Sequence, residues 1–198
     1  MLSYRHAFHA GNHADVLKHC VLVAMLRYLN HKDKPWWYVD SHAGAGIYDL
    51  ATDHARKTGE FETGIGRLWT RDDLPEAVAD YVGLVRDLNL DGRLRLYPGS
   101  PWLASRIMRA GDQMRLFELH STDVQMLRHV FAEASRHVKV EATDGFLGLK
   151  AVLPPQPRRG LVLIDPSYEV KDDYRRVVAA LKDGLERFAT GTYAVWYP

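Results

Sequence analysis

Five short apolar segments, each closing on polar residues, constrain this chain more than any other feature. They are residues 36–40 (WWYVD), 115–120 (RLFELH), 138–144 (VKVEATD), 161–165 (LVLID) and 192–197 (TYAVWY). Helical stretches over residues 121–134, 146–152 and 172–188 separate the last four. Strands alternating with helices of this length predict an α/β fold with a doubly wound, mostly parallel sheet. Ligands of such sheets sit outside the carboxyl ends of the strands. Asp40, Glu118, Asp144 and Asp165 all fall at those ends.

The first strand runs into a loop of small residues, Ser41-His42-Ala43-Gly44-Ala45-Gly46. This resembles a dinucleotide fingerprint only in part, because the third glycine position is Asp49. A short Gly-x-Gly still lets a backbone pass close to a nucleoside or amino-acid moiety. In nucleotide-binding units a ribose-binding acid lies about 20 residues beyond such a loop. Here Glu118 lies 72 residues beyond Gly46. The excess is an insertion, with a glycine-broken segment over residues 58–69 and an amphipathic helix over 75–88 that puts Val78, Tyr81, Val82 and Val85 on one face. The main fold resumes at Tyr97-Pro98-Gly99-Ser100-Pro101, with Ser100 expected as helix cap and its free N–H groups offered to a carboxylate or phosphate. An insertion beside a ligand loop serves as a substrate lobe or as a stabilising elaboration.

The N-terminal helix is expected to start at Asn12, with Asp15 in its first turn and a helical spacing of apolar positions from Val16 to Leu29. Five of the ten histidines fall within the first 31 residues, beside Tyr4, Arg5 and Lys18. His9 and His13 have a helical ligand spacing, but Asn12 separates them at the helix start, and no His-Glu-x-x-His motif or cysteine pair supports a metal site. The cluster reads better as local basicity, with Lys18 and His19 near the ligand loop and Tyr4 and Arg5 toward a nucleic acid. His6 and His31 read as solvated.

Glu118 has a clear task in such a sheet, accepting hydrogen bonds from the two hydroxyls of a ribose. Asp144-Gly145 suits either an adenine amine or a helix cap. Asp165-Pro166-Ser167-Tyr168 is the sharpest motif. A carboxylate and a proline carbonyl can accept the two protons of a planar exocyclic amine, while an aromatic ring stacks on its base and fixes the line of attack.

The segments YRHAFHAGNHADVLKH (residues 4–19), DSHAGAG (40–46), YPGSP (97–101), ELH (118–120), DGF (144–146) and LIDPSYE (163–169) together resemble the bacterial 23S ribosomal RNA (adenine-N6)-methyltransferase J family, in order and over essentially the whole chain. The resemblance implies a Rossmann-like class I methyltransferase domain over residues 1–48 and 99–198, interrupted by a helical subdomain over 49–98. It implies S-adenosyl-L-methionine as cofactor, S-adenosyl-L-homocysteine as product and no metal. Lys18, His19 and His42 would border the cofactor, with Ser100 near its amino-acid end, Glu118 on the ribose and Asp144 with Gly145 beside the adenine. Asp165 would accept from the target N6, Pro166 would lend its carbonyl, Tyr168 would stack on a flipped base and Tyr4 would touch 23S ribosomal RNA. The reaction implied is direct displacement by adenine N6. Ser167 departs from the family pattern, which commonly has a second proline there.

Composition narrows the alternatives. With 26 basic and 25 acidic side chains in 198 residues the net charge is +1, so attraction to RNA must come from local patches such as Arg158-Arg159 and the N-terminus. The longest apolar run, residues 20–26, is too short to span a bilayer, and the N-terminus lacks a signal-peptide core. Cys20 alone cannot form an internal disulfide, and a cytoplasmic protein is expected. Residues 193–197 read as a buried central strand, so either an oligomer covers it or the chain is the front of a longer protein; the second is favoured, and the whole protein is then expected to be monomeric. The rival functions are a DNA adenine-N6 methyltransferase or another DNA-handling protein, a metal-dependent hydrolase built on the N-terminal histidines, and a non-catalytic nucleic-acid-binding module.

Overall fold

Helix α1 (His13–Leu29) begins where Asn12 turns its side chain back on the chain: Asn12 Oδ1 accepts from the Asp15 amide at 2.9 Å. The computed structural model describes residues 6–134 and 136–197. Along the chain follow β1 (Trp37–Asp40), β2 (Ile47–Asp49), α2 (Asp53–Thr58), α3 (Glu60–Thr63), α4 (Glu76–Asp87), β3 (Leu96–Pro98), α5 (Ser100–Ile107), β4 (Gln113–Phe117), α6 (Ser121–Val130), β5 (Val138–Glu141), α7 (Gly145–Val152), β6 (Gly160–Ile164), α8 (Asp173–Arg187) and β7 (Thr192–Val195). They fall into two compact units, one of residues 29–45 and 108–197 and the other of residues 6–28 and 46–107.

The first unit carries a five-stranded sheet in the order β5-β4-β1-β6-β7, every pair parallel. The chain steps outward from β1 to β4 and β5, then returns to the other side for β6 and β7. Crossover direction reverses at β1, and a crevice opens beyond the strand ends at such a point. Register places Asp40 opposite Leu116 on β4 and Leu163 on β6. One face buries Val39, Phe117, Val162 and Ile164 against Phe146 and Leu149 of α7, Val177 and Ala180 of α8, and Phe188. Alternate residues Tyr38, Met114, Leu116, Leu161 and Leu163 are buried as well, which is why these strands read as continuous apolar runs. Strand β7 differs from the sequence expectation. Among the described residues it is an edge strand paired only with β6, and each of its residues is half-buried.

The second unit contains an antiparallel ribbon that the sequence does not announce. Tyr48 of β2 faces Tyr97 of β3, and the Gly99 amide extends the pairing to the Gly46 carbonyl at 2.8 Å. Helix α1 packs within this unit through polar groups: His19 Nδ1 lies 2.8 Å from the Tyr97 hydroxyl, which lies 2.9 Å from the Tyr81 hydroxyl of α4. At Gly64 a Cβ would overlap the Gly11 carbonyl oxygen, so the α1 entry and the α3 exit can meet there only through glycine. None of the helices among the described residues is long and apolar enough to cross a membrane.

Candidate active site

The loop after β1 is held from both sides. The Ser41 amide donates to the Leu163 carbonyl at 3.1 Å and the Ala43 amide to the Phe117 carbonyl at 2.9 Å, so the flanking strands extend their ladders into the loop. Gly44 then adopts a left-handed φ of 63°, which turns its amide toward Glu118. Glu118 Oε2 accepts from that amide at 2.8 Å, and Oε1 accepts from the His120 amide at 2.7 Å. Burial pushes the Glu118 carboxyl up, and the two amides partly offset that rise.

Asp144 ends the segment after β5 and caps α7. Its Oδ1 accepts from the Phe146 amide at 2.9 Å and the Leu147 amide at 3.3 Å, while Oδ2 accepts from Arg176 Nη2 on α8 at 2.5 Å. Burial alone would raise this carboxyl; the Arg176 guanidinium and the two amides outweigh it and hold it below the usual range. The helix-cap alternative for Asp144 is observed, and the same side chain also lines a cavity. Gly145 is required by close approach: a Cβ there would overlap the Ser41 carbonyl oxygen.

That cavity, about 340 Å³, lies within the first unit and is lined by Ser41, His42, Glu118, Leu119, Asp144, Gly145, Pro166, Ser167, Val170, Asp172, Asp173 and Arg176. Its volume suits a small organic ligand. His42 Nδ1 is 2.8 Å from Ser41 Oγ, and its ring meets Phe146 edge-on at 5.0 Å. Burial pushes the imidazole down to about 4, against the attraction of Asp165 and Asp144, so it is neutral at physiological pH. Asp173 is pushed up, first by burial and then by neighbouring Asp144 and Asp172, against the pull of Arg176.

Asp165 and Tyr168 stand on the loop that follows β6. Asp165 is half-buried, and its charge is felt by both His42 and Tyr168. Tyr168 takes a left-handed φ of 54°, uncommon for an aromatic residue. Its hydroxyl donates to the Trp196 carbonyl at 2.7 Å and its ring lies 4.6 Å from Tyr174. Burial and then Asp165 push the phenol up to about 12. Ser167 Oγ accepts from the Glu169 amide at 3.3 Å, a local bond that a proline would lack.

Of the expected site residues, His42, Glu118, Asp144, Gly145 and Pro166 line one cavity, with Asp165 and Tyr168 on the loop that closes one side of it. Lys18, His19 and Ser100 belong to the second unit. There Lys18 Nζ pairs with the buried Asp15 at 2.9 Å. His19 is pushed down to about 3 by burial, so it supplies no positive charge and the local-basicity expectation fails for it. His6 is likewise not solvated, since its Nε2 lies 2.8 Å from Asp15 Oδ2. Ser100 is the first residue of α5 rather than its cap; the Gly99 carbonyl accepts the opening bond from Leu103. Tyr4 and Arg5 lie outside the described residues. Arg176 was not singled out from sequence, and the only signal available was its place three residues beyond Asp173, on the face of a predicted helix.

Comparison with known proteins identifies the family. Residues 33–198 match the family model described as "Ribosomal RNA large subunit methyltransferase D, RlmJ". Two relatives named "Ribosomal RNA large subunit methyltransferase J" are 54% identical over 198 residues, from Escherichia coli strain K12, and 53% identical over 199 residues, from Haemophilus influenzae Rd; each alignment covers all of this chain and 70% of the relative. A crystal structure of protein LPL1258 from Legionella pneumophila, of the family DUF519, is 43% identical with a TM-score of 0.89, over 96% of this chain and 70% of that one. The sheet order, the carboxylates at its strand ends and these matches lead to one conclusion: the chain belongs to the RlmJ family of large-subunit ribosomal RNA methyltransferases.

Proposed function

We propose that this chain methylates N6 of an adenine in 23S ribosomal RNA, with S-adenosyl-L-methionine as methyl donor. The observation that carries this reading is the convergence of Glu118, Asp144 and the Asp165-Pro166 turn, from the ends of β4, β5 and β6, on one cavity and its rim. The donor set fits the cofactor. Each Glu118 oxygen has accepted one amide and keeps an acceptor position for one hydroxyl of a vicinal diol. Asp144 and Gly145 line the same cavity and are assigned to the purine edge, and the missing Cβ of Gly145 lets this turn pack directly on the Ser41 carbonyl. When bound, S-adenosylmethionine supplies an electrophilic methyl group.

The remaining work belongs to the chain's own groups. The target base must leave its stack to enter the pocket. Asp165 accepts one proton of the N6 amine in a hydrogen bond and the Pro166 carbonyl accepts the other, which favours a pyramidal nitrogen whose lone pair is available. Asp165 then takes up the proton that methylation releases. The Tyr168 ring, whose backbone and hydroxyl are both fixed, stacks on the base and sets its angle. Neutral His42 adds no charge to repel a sulfonium. The roles of Lys18, His19 and Ser100 toward the cofactor rest on the family resemblance.

Transfer of tritiated methyl to deproteinised ribosomal RNA from cells lacking this protein, followed by digestion to nucleosides, tests the reading. Label is expected in large-subunit RNA as N6-methyladenosine. Label on duplex DNA instead, or on another atom, overturns it.

A further inference from the structure

Arg176 brings a guanidinium to the cavity wall. Arg176 reaches from the first turns of α8 to Asp144 Oδ2 at 2.5 Å, comes within 3.7 Å of Asp173 Oδ1, and lays its guanidinium carbon 4.3 Å from the centre of the Phe146 ring. The Phe146 ring in turn meets His42. Asp144 therefore has little freedom. Oδ1 is filled by two α7 amides, and Oδ2 keeps one acceptor position beside the Arg176 bond.

The geometry points to Arg176 as a positioning residue that holds Asp144 in place as a charged acceptor, so that the site admits a purine with an amine at carbon 6 and rejects one with an oxygen there. This inference rests on the proposed cofactor reading and extends it to how the purine is chosen. An adenine amine can donate to the remaining position on Oδ2. A hypoxanthine carbonyl would set an acceptor against a carboxylate that cannot protonate, and an unmatched buried polar contact is the strongest form of discrimination a small site can have. Arg176 acts through Asp144 and need not touch the purine. The groups facing the Asp144 carboxylate are Arg176 and Asp173 on α8 and His42 on the loop after β1. Of these, only Arg176 stabilises its charge across the neutral range.

Calorimetric titration of the whole chain with S-adenosylhomocysteine and with S-inosylhomocysteine, between about pH 5 and pH 8, provides the test. The native chain is expected to bind the adenosyl compound with a pH-independent affinity and to disfavour the inosyl one. In Arg176→Met only the two α7 amides still oppose the burial of Asp144, so its carboxyl rises. The adenosyl-over-inosyl preference is then expected to shrink by roughly tenfold, and adenosyl affinity to fall as the pH is lowered. Arg176→Lys, which keeps the charge, is expected to restore the flat pH profile, and it serves with Arg176→Gln if the methionine variant does not fold. A merely structural role for Arg176 would weaken both compounds alike and leave the preference and pH profile unchanged; that result overturns the inference while the cofactor reading stands. If the native chain binds neither compound, the cofactor reading itself falls, and this inference with it.

Discussion

Glu118→Gln separates the two jobs assigned to one side chain. In the native chain the carboxylate takes one amide on each oxygen, Gly44 at 2.8 Å and His120 at 2.7 Å, and offers one further position on each to a diol. Glutamine keeps the shape but replaces one acceptor oxygen with an NH2 group. One backbone amide then faces a donor, and one ribose hydroxyl loses its acceptor. A hydrogen bond to a charged group contributes about 1.5–3 kcal/mol, so the dissociation constant for S-adenosylhomocysteine should rise roughly 10- to 100-fold. Loss of the buried charge offsets part of the cost of the mismatched amide, and folding stability should change by less than about 1 kcal/mol. Titration calorimetry reads the affinity and denaturant unfolding reads the stability. A 2′-deoxy analogue of the ligand sharpens the assay, since it should bind more weakly than the parent to the native chain but nearly as well as the parent to the variant. Affinity within about threefold of native, or an equal deoxy penalty on both proteins, would refute the ribose role.

Other perturbations test other parts of the structure. Asp165→Ala should lower methyl transfer by about 10²–10⁴-fold while S-adenosylhomocysteine affinity stays within a few-fold of native; retained turnover counts against its role at N6. Phe117→Ala empties a fully buried position between β4 and α7 and should destabilise the chain by about 3–5 kcal/mol in urea unfolding. His19 has its folded value pushed down from 6.5 to about 3, so the stability that its neutral form contributes is complete above 6.5 and is lost as the pH falls toward 3. Thermal midpoints should therefore drop between about pH 7 and pH 4.5, and His19→Gln should flatten that slope; His42, depressed in the same direction, leaves a residual slope.

Much of the first unit was legible because its signals are local. Runs such as LVLID announce a strand buried on both faces, and the polar residue closing each run marks the carboxyl edge where a ligand sits; in the second unit, Asn12 likewise announces a helix start. The features that escaped are long-range pairings. Strands β2 and β3 have three residues each and lie far apart in sequence, so neither carries a periodicity that betrays it. The His19–Tyr97–Tyr81 chain joins α1, β3 and α4, and nothing in the local sequence says that this histidine is neutral rather than basic. Arg176 lies 32 residues from the carboxylate it holds. The apolar composition of residues 193–195 suggests a central strand, but exposure depends on how many neighbours pair with it, which composition does not report. Glu118 was legible because it closes the apolar run of residues 115–120, at the strand end where a ribose-binding acid is expected.

The amides of Ser41 and Ala43, bonded to β6 and β4, make the floor of the cavity an extension of the sheet rather than a separate mobile loop. Amide exchange at these two positions should then be as slow as in the strand interiors, opening only when the strands themselves part. Occupancy of the cavity and cohesion of the central strands become a single equilibrium. A bound nucleoside raises the resistance of the whole sheet to unfolding, and a core defect far from the cavity weakens binding only through the fraction of molecules unfolded.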